Sequence, residues 1–183
     1  MAFLDRYSYD SSFSSKKVGI SRFGICVCHD EIHMSVFLPL PPVLLLKIWL
    51  IFFSSGKIYD SKNQLVKPFP EVPQVLADLH QKGYELAIAS RTSEIQGAGQ
   101  LIKLLNWDKY FKYKEIYPGC KIKHFSQFCK ASGFKHEDML FFDDEDRNIR
   151  DLSEKGVTCI FVDDVGVTIK LVEAGLQKFA HKS

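Results

Sequence analysis

The run Met139-Leu140-Phe141-Phe142 passes without a break into Asp143-Asp144-Glu145-Asp146, and this junction constrains the fold more than any other feature of the chain. An unbroken apolar run bounded by turn signals reads as a strand covered on both faces, which places it inside a parallel sheet. Four carboxylates at its end have to meet solvent or a cation, because crowded like charges repel. The strand therefore delivers acidic groups to the carboxyl edge of a sheet, where open α/β sheets bind their ligands.

The same grammar recurs on either side. Pro70 and Pro73 open a helix with Val72, Val75, Leu76 and Leu79 on its apolar face, closed by Gly83. Tyr84 to Ala89 reads as a strand that empties into Ser90-Arg91-Thr92-Ser93. Ser93 with Gln96 has the spacing of a capping box, and Ile95, Ala98, Leu101, Ile102 and Leu105 give the next helix its buried stripe. Ile122, Phe125 and Phe128 mark a helix ended near Gly133, Ile149 and Leu152 a short one stopped by Gly156. Val157 to Val162 is a further strand, and Ile169, Val172, Leu176 and Phe179 lie on a final amphipathic helix. Alternation of this kind predicts an α/β fold: a doubly wound, mostly parallel, Rossmann-like sheet spanning residues 54–183.

Residues 1–53 read as a divergent segment. Ser8, Ser11, Ser12, Ser14 and Ser15 surround two aromatics, too little apolar text for a core, so part of the segment is expected to be disordered. Val36 to Phe53 is almost wholly apolar but carries Pro39, Pro41, Pro42 and Lys47, which breaks the roughly 20-residue run a membrane helix needs. A buried strand or helix is the expectation there, and membrane spanning is not.

Composition narrows the partners. The formal net charge is +2 with lysine and arginine spread along the chain, which leaves no basic patch for nucleic acid. Five cysteines are an odd number without the dense spacing of a disulfide framework, so a reducing, cytoplasmic setting is expected. Met1 to Lys17 is charged and serine-rich, unlike the apolar core of a secretory signal.

Two strand ends carry the chemistry. Ser90-Arg91-Thr92 offers hydroxyls, a guanidinium and the free N–H groups of a helix start, an anion site whose plain alternative is helix capping. Asp143 and Asp144 supply hard oxygen ligands of the kind Mg²⁺ takes, the plain alternative being a solvated acidic turn. Between them Gly119-Cys120-Lys121 puts a lysine at a helix start, a point-charge partner for phosphate. Anion site, counter-charge and metal site in this order form a phosphoryl-transfer layout. Cys26, Cys28, His29 and His33 could ligate zinc, but they lack the two well-separated pairs of a structural site, and none is expected.

These residues resemble a known family. Phe69-Pro70-Glu71-Val72-Pro73, Ala89-Ser90-Arg91-Thr92-Ser93-Glu94-Ile95, Glu115-Ile116-Tyr117-Pro118-Gly119-Cys120-Lys121, Phe141-Phe142-Asp143-Asp144-Glu145 with Arg147-Asn148-Ile149, and Gly156-Val157-Thr158-Cys159-Ile160 are similar to the magnesium-dependent phosphatases of the haloacid dehalogenase superfamily. The resemblance implies that Ser90 and Arg91 bind the substrate phosphate and that Lys121 neutralises charge between nucleophile and phosphoryl group. It implies Mg²⁺ on Asp143 and Asp144, with Asp144 the more direct ligand. It further implies attack by an aspartate, a phosphoaspartyl enzyme hydrolysed by water, and phosphotyrosine-type esters or phosphorylated sugar amines as substrates.

One part of the pattern is missing. Such phosphatases begin with an apolar strand ending in Asp-x-Asp-x-Thr, nucleophile first and general acid second, whereas the only Asp-x-Asp here is Asp144-Glu145-Asp146. The nearest upstream substitute is Asp30-Glu31 after Ile25-Cys26-Val27-Cys28, and adjacent strand residues point to opposite faces. Loss of a nucleophile costs about 10⁴ to 10⁶ in rate, so a member that keeps the pocket without catalysis is the alternative. The missing strand is the central one, and Val43 to Phe53 or Val18 to Cys28 is expected to take its slot.

Overall fold

The computed structural model describes residues 24–27, 52–54, 57–59 and 65–182. In chain order these form β1 (Gly24–Val27), β2 (Phe52–Ser54), β3 (Lys57–Tyr59), β4 (Leu65–Val66), α1 (Val72–Gln81), β5 (Glu85–Ser90), α2 (Ile95–Leu104), β6 (Phe111–Ile116), α3 (Lys121–Ser132), β7 (Met139–Asp143), α4 (Asp146–Ser153), β8 (Thr158–Phe161) and α5 (Ile169–Lys182). The main sheet runs β6-β5-β1-β7-β8, all pairings parallel. This is the doubly wound α/β class that the strand and helix alternation predicts.

The central slot is filled from Val18 to Cys28, one of the two candidate stretches. Cys26 pairs with Ala87 of β5 on one side and with Phe141 of β7 on the other, and Val27 pairs with Phe142. The end of the other candidate goes elsewhere: Phe52–Ser54 pairs antiparallel with β3, which pairs with β4. That small sheet rests on α2 through Ile58 and Leu101. The rest of Val43 to Phe53, the serine-rich stretch and its expected disorder lie outside the described residues.

Side chains on β5 and β7 alternate between two cores, as period two requires. Leu86, Leu140 and Phe142 face Val75, Leu76 and Leu79 of α1 with Val172 and Phe179 of α5. Ala87, Ala89, Met139 and Phe141 face Phe125 and Phe128 of α3 with Leu152 of α4. β7 is therefore buried along its whole length, which is why its sequence lacks polar alternation. Full burial of one such large side chain contributes about 1.5–3 kcal/mol.

Two local features depart from the sequence reading. No side chain caps α2 at Glu94; Thr92 Oγ1 instead accepts the Glu94 N–H at 3.0 Å, so the Ser93–Gln96 capping box does not form. The turn that leaves β5 carries the chain one residue further before the helix begins. The second concerns β6, which the apolar pattern does not announce. Its Lys112 and Lys114 point to solvent and pair with Glu85 at 2.7 Å and Asp108 at 3.2 Å. Charged residues on an edge strand block pairing with other chains, and they also erase the apolar signal.

Candidate active site

β5 ends at Ser90 and β7 at Asp143, on either side of β1. Lys121, the first residue of α3, is 1% exposed. Its Nζ donates to the Ala89 carbonyl at 2.9 Å and stands 3.6 Å from Asp143 Oδ2. One acceptor belongs to β5 and the other to β7, so the ammonium group bridges the carboxyl end of the strand between them. Asp143 Oδ1 accepts the Glu145 N–H at 2.9 Å and Asn148 Nδ2 at 3.0 Å, which fixes the carboxylate. Asp144, next along, is exposed.

On the β5 side Ser90 is buried and its Oγ accepts the Thr92 N–H at 3.3 Å. Arg91 Nη1 donates to Glu145 Oε2 at 2.8 Å, and Arg147 Nη2 donates to Glu145 Oε1 at 2.7 Å. Glu145 thus belongs with the arginines, which corrects its place in a four-carboxylate metal end. Asn148 also reaches Glu145 Oε2 at 3.2 Å, so one chain of contacts links the buried pair to both guanidinium groups. A cleft of about 250 Å³ opens here, lined by Arg91, Gly119, Cys120, Arg147, Asn148 and Asp151. Beside it, burial and a hydrogen bond to Glu115 push the Tyr117 hydroxyl up to about 12.

The structure therefore brings together Ser90, Arg91, Lys121, Asp143 and Asp144 at one sheet edge. Sequence reasoning placed Glu145 only in the acidic run and Asn148 only in a family motif, and gave neither a role in the site. Asn148 had one usable signal, its place in the first turn of the helix that follows the acidic run, where it reaches back five residues to Asp143. Among the described residues no group of three or more His, Cys, Asp or Glu is arranged to hold a metal. Cys26 lies in β1, while Cys28, His29 and His33 of the zinc reading lie outside the described residues.

A parallel sheet of this kind is shared with solved phosphatase structures. The phosphatase domain of BF1531 from Bacteroides fragilis, solved with Mg, shares it with a TM-score of 0.56 at 13% identity, over 89% of this chain and 42% of that one. The acid phosphatase family model matches residues 51–182, and the chain belongs to that family. Magnesium-dependent phosphatase 1 of Homo sapiens is 46% identical over 127 residues, 69% of this chain and 72% of the relative. A HAD-like hydrolase superfamily protein of Schizosaccharomyces pombe is 30% identical over 112 residues, 56% of this chain and 64% of its own length. The chain is a phosphatase by family, a hydrolase of the haloacid dehalogenase type. No helix among the described residues is long and apolar enough to cross a membrane.

Proposed function

We propose that this chain hydrolyses small phosphomonoesters, phosphotyrosine-type or phosphorylated sugar amines, in a Mg²⁺-dependent reaction in the cytoplasm. The observation that carries the reading is the buried Lys121–Asp143 pair bridging the end of β1 beside Ser90. An ammonium group held in a dry site next to an anion-binding turn is worth far more against phosphoryl charge than it is in water.

Ser90 Oγ and Arg91 hold the phosphate, and Lys121 compensates the charge that builds as the attacking group meets phosphorus. Asp144, with Asp143 behind it, would hold Mg²⁺; two carboxylate donors suit an ion that keeps several waters. The ion supplies Lewis-acid polarisation of a phosphoryl oxygen when bound. Glu145 orients Arg91 and Arg147 toward the cleft, whose volume exceeds a phosphate and leaves room for the leaving group.

The attacking group has to come from the end of β1, because Lys121 and Ser90 converge there. After Val27 the sequence continues Cys28-His29-Asp30-Glu31, residues outside the described part, and Asp30 is the first carboxylate. In the proposed step a carboxylate oxygen bonds to phosphorus, the ester P–O bond breaks, and the leaving oxygen takes a proton from solvent water to depart as the alcohol. Water then hydrolyses the acyl phosphate.

Steady-state hydrolysis of phosphotyrosine and of a phosphorylated sugar amine tests the reading, with Ser90→Ala and Asp30→Asn alongside. The expected result is a raised KM in the first variant and loss of turnover in the second. A folded chain that binds phosphate and releases none would establish the non-catalytic alternative.

A further inference from the structure

His124 is fully buried in the first turn of α3, and no step above uses it. Its Nδ1 lies 3.0 Å from the Cys120 carbonyl, and its Nε2 lies 3.2 Å from the Ser90 carbonyl and 3.0 Å from the Tyr117 carbonyl. All three are acceptors. A neutral imidazole has one N–H, so one of its nitrogens would press a lone pair against a carbonyl oxygen, whereas an imidazolium donates from both. The ring also stacks on Tyr117, with centroids 4.2 Å apart and planes 10° from parallel. Tyr117 hydrogen-bonds to Glu115, which makes its face a better partner for a cation.

The three carbonyls belong to the working parts of the site. The Ser90 carbonyl, which also takes the Tyr117 N–H at 3.0 Å, precedes the amide of Arg91. The Cys120 carbonyl precedes the amide of Lys121. Because a trans peptide sets its C=O and the next N–H in opposite directions, fixing these carbonyls on the ring turns the Arg91 and Lys121 amides away from it.

We propose that His124 is held as an imidazolium whose two N–H groups clasp these carbonyls, positioning the Ser90–Arg91 turn against Lys121 for phosphate binding. The inference rests on the phosphate site proposed above. The charged and titratable groups around the ring are Lys121 on α3, Cys120 just before it, Arg91 after Ser90, and the stacked Tyr117 with its partner Glu115. Lys121 and the first turn of the helix oppose another positive charge. The carbonyls, the Tyr117 face and a bound phosphate dianion act in its favour.

Nitrogen-resolved NMR of the histidine rings in the full chain at pH 7, assigned with His124→Gln, reads the claim directly. Both His124 nitrogens should carry protons with inorganic phosphate present, and the Arg91 and Lys121 amide signals should move when that ring is deprotonated at higher pH. A ring with one proton under these conditions overturns the inference. Calorimetry with inorganic phosphate separates it from the site reading. Loss of a charged hydrogen-bonded clasp should weaken binding about tenfold in a folded His124→Gln chain. If Ser90→Ala weakens phosphate binding while His124→Gln leaves it unchanged, the positioning role fails and the site stands. If neither the native chain nor Ser90→Ala shows phosphate binding, the site reading fails, and the NMR result still decides the state of the ring.

Discussion

Lys121 and Asp143 show how burial turns an ordinary pair of side chains into a constraint. Both are shielded from water, so removing one partner leaves an uncompensated charge in the interior. Lys121→Met should lower the unfolding free energy by about 3–5 kcal/mol in denaturant titration, and an unchanged midpoint would contradict the pairing. Tyr117 makes a second prediction at this scale. The unfolded chain releases its proton near the ordinary value of about 10, whereas the folded chain holds it to about 12. Between these values the folded state binds more protons, so its contribution is complete below pH 10 and is lost as pH rises toward 12. Melting temperature should therefore fall less steeply across that window in Tyr117→Phe than in the native chain. At this scale Ser90, Arg91, Asp143 and Asp144 were legible because they follow apolar strands, and Lys121 because it opens a helix. His124 was not, since a histidine four residues from a turn says nothing of three carbonyls that fold onto it from separate segments.

Elements were legible where both neighbours are apolar and obscure where one is solvent. β7 and the stripes of α1 and α3 follow from spacing alone, and Gly133, with φ +79° at the end of α3, is the stop its sequence announces. β6 and the β2-β3-β4 sheet escape because edge and surface strands carry lysines or lie in short pieces. The approach of α5 to the sheet was equally invisible. Gly175 faces Phe142, and a Cβ there would come within 2.8 Å of its Cζ and 3.2 Å of Ile160 Cγ1. Phe142 is fully buried and cannot yield. Gly175→Ala gains about 1 kcal/mol of helix propensity, yet overpacking costs about 1–3 kcal/mol, so a net loss of thermal stability is expected. A variant more stable than the native chain would mean that α5 stands further from the sheet.

For the molecule as a whole, the parallel sheet was legible from the alternation of strands and helices, and its vacant central position from the family resemblance. Which stretch supplies the partner was not, since Val18 to Cys28 and Val43 to Phe53 are both apolar and both long enough. The register of Gly24–Val27 between β5 and β7 decides it. That strand ends where Ser90, Lys121 and Asp143 converge, and the family match begins only at residue 51. The account's central claim is that this edge is a working phosphatase site. Release of inorganic phosphate from an aryl phosphate by the purified full chain tests it, measured with Mg²⁺, with a chelator, and with Asp144→Asn. The account predicts release that requires Mg²⁺ and falls to background in both controls; release that persists with the chelator and in Asp144→Asn would contradict it.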